Sequence, residues 1–98
     1  MSERVALVTG STSGIGAATA RRLAEDGYIV ALHSRQSADV GQAMADALPG
    51  ASYHQADLAD AEQARRLLSE VLQRHGKLDV LVNNAAIRRH SNFENLGW

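Results

Sequence analysis

The residues Thr9-Gly10-Ser11-Thr12-Ser13-Gly14-Ile15-Gly16 follow directly on the apolar run Val5-Ala6-Leu7-Val8. A buried strand that breaks into three glycines and then opens a helix is a device for holding a diphosphate. Gly10 allows a tight turn, Gly14 brings the backbone to the phosphate oxygens without an intervening Cβ, and Gly16 lets the new helix pack closely. The first N–H groups of that helix have no intrahelical partner, so they face the anion together with the positive end of the helix dipole. The spacing is GxxxGxG, which differs from the common GxGxxG fingerprint, and no Lys-Ser/Thr pair follows to make a Walker-type loop.

These glycines need elements around them, and the rest of the chain supplies strands and helices in alternation. Val5 to Val8 reads as a parallel strand covered on both faces. Ile15 to Asp26 carries Gly16, Ala20, Leu23 and Ala24 on one helical stripe, with Gly27 to end it. Tyr28 to His33 is a second strand. Ser37 can cap a helix in which Val40, Ala43, Met44, Ala47 and Leu48 repeat at helical spacing, stopped by Pro49-Gly50. A weaker strand, Ser52 to Ala56, leads to Asp57. Asp60 with Gln63 forms a capping box for a third helix. Its stripe is Ala64, Leu67, Leu68, Val71 and Leu72, and Arg74 and His75 suit its negative end before Gly76. Leu78 to Val82 is a fourth buried strand ending at Asn83-Asn84.

Four strands joined by three helices require crossover connections. The expected architecture is α/β, a Rossmann-type parallel sheet of order 3-2-1-4 that stops after strand 4. The crevice then lies where the order reverses, between strands 1 and 4. The glycine turn, Asp57 and Asn83-Asn84 all fall on its carboxyl rim.

Composition narrows the class further. The chain has 98 residues, 45% hydrophobic and 21% charged, with a formal net charge of -1 and no cysteine. That balance gives no reason for a nucleic-acid or membrane partner, and the lack of cysteine excludes disulfides and thiolate metal sites. With no signal-peptide pattern and no run long enough to span a bilayer, a cytoplasmic location is expected. His33, His54, His75 and His90 share no metal-ligand spacing and read as structural or surface residues. Arg88-Arg89-His90 reads as a solvated basic run, and Phe93, Leu96 and Trp98 as the anchoring of a further helix.

Taken together, Thr9 to Gly16 as TGxxxGIG, Asp57-Leu58 after the third strand and Asn83-Asn84-Ala85 after the fourth resemble the short-chain dehydrogenase/reductase family from about Arg4 to Ile87. The resemblance implies an NAD(P)(H)-dependent oxidoreductase that interconverts alcohols and carbonyls. It implies that Gly10, Ser11, Thr12, Ser13, Gly14, Ile15 and Gly16 hold the pyrophosphate. By the same likeness Asp57 bonds the adenine amino group, the Leu58 backbone meets that ring, and Asn83, Asn84 and Ala85 line the crevice near the ribose. The family usually reads Asn-Asn-Ala-Gly, and here Ala86 replaces the glycine, which restricts positive φ. NAD-preferring members carry an acidic residue where this chain has Ser34. Ser34 removes a charge that would repel a 2′-phosphate, and Arg35 offers it a planar donor, so NADP is favoured over NAD.

The family's catalytic tyrosine has a lysine four residues later. Tyr28 and Tyr53 have Leu32 and Asp57 there. No catalytic residue is assigned. Residues 1–98 read as a partial NAD(P)-binding domain, inactive alone, from a larger protein expected to form a homo-oligomer and to act on a small-molecule carbonyl or alcohol. A non-catalytic nucleotide-binding module, acting as a sensor or interaction domain, is the alternative. An epimerase-like relative would favour TGxxGxxG spacing. The bare strand 4 should act as a sticky edge, making the chain marginal or self-associating.

Overall fold

The computed structural model describes residues 3–84. Strand β1 (Val5–Val8), helix α1 (Gly14–Glu25), β2 (Ile29–Ser34), α2 (Ala38–Ala47), β3 (Ser52–Gln55), α3 (Ala61–His75) and β4 (Val80–Val82) follow one another in that order. The strands form one parallel sheet of order β3-β2-β1-β4, as the alternation predicts. Every residue of β1 is buried, which a strand at the centre of a doubly covered sheet requires.

Side-chain alternation sends successive residues to opposite layers. Val8, Val30 and Leu32 pack with Ala17 and Ala20 of α1 and Met44 and Ala45 of α2. Val5, Leu7 and Ala31 pack with Leu67 and Val71 of α3. The two faces are therefore covered as the sequence pattern predicts.

Two helical stripes differ from expectation. On α2 the buried residues are Gly41, Met44 and Ala45, whereas Val40 is exposed. The helix is rotated because Gly41 lies against the Tyr53 ring; a Cβ there would stand 2.1 Å from Tyr53 Cε1. On α3 only Leu67 and Val71 are buried, and Leu68 and Leu72 are exposed. A single i, i+4 ridge meets the sheet, and the other half of the stripe faces away from it. The strand ends also shift. β2 runs one residue further, to Ser34, while β4 begins at Val80, because the Asp79 carboxylate turns to accept from Val5 N–H at 2.8 Å.

Helix α3 is the best capped. The Asp60 side chain accepts from the N–H groups of Glu62 and Gln63, and Gly76 ends the helix. Gln63 does not complete the reciprocal half of the box by reaching Asp60 N–H; its Oε1 accepts from Asp57 N–H at 2.8 Å. A polar chain ties α3 to β3. Ser52 Oγ lies 2.7 Å from Nε2 of both His54 and His75, His54 Nδ1 lies 2.9 Å from Glu70, and Arg66 donates to the Gln55 carbonyl. His54 and His75 thus serve as structural residues. No described helix is long and apolar enough to cross a membrane.

Candidate cofactor site at the carboxyl rim of the sheet

The glycine turn leaves β1 and is held from both sides. Gly10 has φ 61° and Gly14 φ 57°, both in the left-handed region that favours glycine. Open space lies where a Gly14 Cβ would stand. Gly16 is different. A Cβ there would meet the Gly10 carbonyl oxygen at 2.1 Å and Asn84 Nδ2 at 2.6 Å. Its glycine is required by the turn and the β4 end that crowd it.

On the β4 side, Thr9 and the asparagines form a latch. Thr9 N–H donates to the Val82 carbonyl at 3.0 Å, and its hydroxyl donates to Asn83 Oδ1 at 3.2 Å. Asn84 N–H donates to the same hydroxyl at 2.8 Å, and Asn84 Nδ2 donates to the Gly10 carbonyl at 3.2 Å. Asn83 and Asn84 therefore join strand 4 to the turn. Ala85 and Ala86, like Arg88 to Trp98, lie outside the described residues.

On the β2 side, Ser11 and His33 do the same work. Ser11 N–H and hydroxyl both reach the His33 carbonyl, at 2.9 and 3.2 Å, and His33 N–H donates to Ser11 Oγ at 2.8 Å. With both donors engaged and the residue fully buried, Ser11 shapes the turn from beneath. The His33 ring completes the brace. Its Nδ1 accepts from Gly10 N–H at 3.0 Å, and its Nε2 lies 2.8 Å from the Ala56 carbonyl. A carbonyl can only accept and an N–H can only donate, so the ring is the neutral Nε2–H tautomer. Sequence reading assigned His33 no part in the site, because its two partners stand 23 residues away in opposite directions along the chain.

Helix α1 begins where the turn ends. Ser13 holds the N-cap position with extended backbone, yet its side chain makes no capping bond, and the first turn carries no acid. The contrast with α3, capped by Asp60 and carrying Glu62, is direct. Thr12 is half-buried, while Ser13, Gly14 and Ile15 are exposed, Ile15 by 77%.

Beside the turn lies an open cleft of about 290 Å³ lined by Gly10, Thr12, Ser13, His33, Ser34, Arg35, Gln36 and Ser37. Among the described residues it contains no carboxylate. Arg35 is exposed, but Ser34 is buried, and its hydroxyl is paired with that of Tyr53. Asp57 and Leu58 stand half-buried on the next strand end; Asp57 Oδ1 accepts from Ala59 N–H at 3.0 Å, and Leu58 packs under the sheet. The predicted residues that are described thus gather on one rim.

A glycine turn at the reversal point of a 3-2-1-4 parallel sheet defines an α/β protein of Rossmann type. The chain belongs to the short chain dehydrogenase family, whose model matches residues 4–97. It is 51% identical over 85 residues to a Streptomyces violaceoruber protein named for a ketoacyl reductase of the granaticin polyketide synthase, covering 87% of this chain and 34% of that protein. It is 41% identical over 88 residues to a Staphylococcus aureus 3-oxoacyl-(acyl-carrier-protein) reductase, covering 86% of this chain and 36% of the relative. Among solved structures, a short chain dehydrogenase from Burkholderia cenocepacia in complex with NADP matches with TM-score 0.81 and 43% identity, covering 96% of this chain and 40% of that one. A variant of actinorhodin polyketide ketoreductase with NADPH matches with TM-score 0.79 and 36% identity, covering 87% and 34%. The chain spans about a third of the length of the curated relatives it matches.

Proposed function

We propose that residues 1–98 form the cofactor-binding part of an oxidoreductase that interconverts a small-molecule alcohol and its carbonyl, with NADP preferred to NAD. The observation that carries this reading is the cleft beside the glycine turn, which presents Arg35 and, among the described residues, no carboxylate. The residues fit a dinucleotide: the α1 N-terminus lacks both side-chain cap and acid, and space is open over Gly14. When bound, the nicotinamide supplies or accepts a hydride.

The chain's own part is to bind and orient. Thr12, Ser13, Gly14, Ile15 and Gly16 bring backbone N–H groups and the helix dipole to the pyrophosphate, while Gly10, its own N–H held by His33, makes the tight turn and Ser11 braces it. Arg35 meets the adenosine 2′-phosphate through a charge-assisted bond. Asp57 and the Leu58 backbone receive the adenine, and Asn83, Asn84 and Ala85 border the nicotinamide ribose. The sequence contains no Tyr-x-x-x-Lys, so this segment is assigned binding without turnover. The whole protein is proposed to be a cytoplasmic homo-oligomer.

Calorimetric titration with NADP⁺ and NAD⁺, on the native protein and on Arg35→Ala, tests the reading. A hydrogen bond to a charged group contributes roughly 1.5–3 kcal/mol, so the substitution should weaken NADP⁺ binding about tenfold or more and leave NAD⁺ binding nearly unchanged. Equal losses for both would remove the 2′-phosphate assignment. Failure of the native protein to bind either would remove the functional reading itself.

A further inference from the structure

His33 has no counterpart among the groups assigned above to the cofactor, yet it bonds to the rim at Gly10, Ser11 and Ala56. The residue is 2% exposed. Its ring joins the Gly10 N–H at the end of β1 to the Ala56 carbonyl at the end of β3, and its backbone is clasped by Ser11. The imidazole therefore fixes the distance between the pyrophosphate turn and the strand end that precedes Asp57 and Leu58.

We infer that His33 is a positioning residue for the dinucleotide, and that it holds the glycine turn in its binding shape only while its ring is neutral. This rests on the cofactor reading above. The neutral Nδ1 lone pair is the acceptor for Gly10 N–H. A proton added there would set N–H against N–H across 3.0 Å, and the turn would have to move.

The surroundings favour the neutral ring. Burial lowers the pKa of His33 below its ordinary value; the bond to Ala56 opposes this, and His54 adds to it. His54 is its register partner on β3, with Glu70 of α3 bonded behind it and Arg66 of α3 reaching the Gln55 carbonyl. Arg35 follows on β2 and shares the cleft, and Asp57 follows Ala56. From the turn, the bonded neighbours of His33 are Gly10 and Ser11, neither of them titratable at these pH values.

The test is calorimetric titration of the full-length protein with NADP⁺ from pH 4.5 to 8, in the native form, His33→Asn and His33→Phe. Asparagine offers Gly10 an amide oxygen near the place of Nδ1 but does not titrate. Phenylalanine keeps the ring and removes both bonds. The cofactor's own phosphate titrates near pH 6, as phosphate monoesters do, and this is common to all three, so the comparison between proteins isolates the imidazole.

At pH 7.5, His33→Asn should bind within about threefold of native and His33→Phe about tenfold more weakly, the scale expected when a buried N–H loses its acceptor. On acidification the native protein should lose affinity more steeply than His33→Asn, by up to one proton per ligand bound. Parallel native and His33→Asn profiles would overturn the inference. So would native affinity that rises with acid relative to His33→Asn, since the cation would then be helping the diphosphate. If His33→Phe fails to fold, the native and His33→Asn profiles still decide. A native protein that binds no NADP⁺ at any pH would instead bring down the functional reading, a result distinct from either.

Discussion

A single methyl group would be enough to test how tightly the site is built. At Gly16 it would enter the space of the Gly10 carbonyl and the Asn84 amide, and neither can retreat freely, since Asn84 is tied to Thr9 and Gly10 to His33. We expect Gly16→Ala to lower stability by about 1–3 kcal/mol, the scale of overpacking, and to weaken NADP⁺ binding at least tenfold. Thermal melting and calorimetry of the same preparation would check both. A variant that keeps native stability and affinity would mean that the turn relaxes at little cost. Gly14→Ala should differ, because there the backbone conformation resists and no atom is in the way.

Among the elements, α3 carries the clearest test. Asp60 accepts from two backbone N–H groups, so Asp60→Ala should cost about 1 kcal/mol, read as a lower urea midpoint with an unchanged slope. Element order and strand pairing were legible in the sequence because they follow from apolar period and glycine placement. The buried faces were less so. Val40 and Leu68 satisfy the helical period yet stay exposed, because period defines a stripe and the neighbours choose which edge of it is covered. Gly41 against the Tyr53 ring settles that choice on α2. The glycine turn, Asp57-Leu58 and Asn83-Asn84 were legible as motifs. His33 was not, since a buried histidine shows its role only when strands far apart in sequence bring it two partners of opposite kind.

For the molecule as a whole, two features govern behaviour in solution: titratable histidines and exposed apolar side chains. His33 and His75 both have lowered pKa values, in each case chiefly through burial. Between the lowered value and the ordinary 6.5, the unfolded chain binds more protons than the folded one, so stability rises with pH across that window and is complete above it. Melting temperature should therefore fall as pH drops below 6.5, and His33→Asn should make that fall shallower. Asp79 acts in a lower range: its bond from Val5 N–H and its pairing with Lys77 depress its pKa, and its contribution is lost only as the carboxylate is protonated below about pH 4. The second feature is an exposed apolar surface. Leu81 on the edge strand β4 is 54% exposed, and Leu68 and Leu72 are exposed on α3. The 98-residue chain should self-associate as its concentration rises, which sedimentation velocity would detect; a monomer at all concentrations with a sharp melt would refute this.

The bond between Ser34 and Tyr53 has a consequence for descent. An acidic residue at position 34, the simplest step toward NAD, would find the Tyr53 hydroxyl already beside it and give one carboxylate oxygen to the phenol before any ribose arrived. The proposed cofactor preference would then rest on two strands at once. A lineage exchanging one cofactor for the other would need Tyr53→Phe as well as Ser34→Asp, and the order of the two steps would decide whether the intermediate binds either cofactor well.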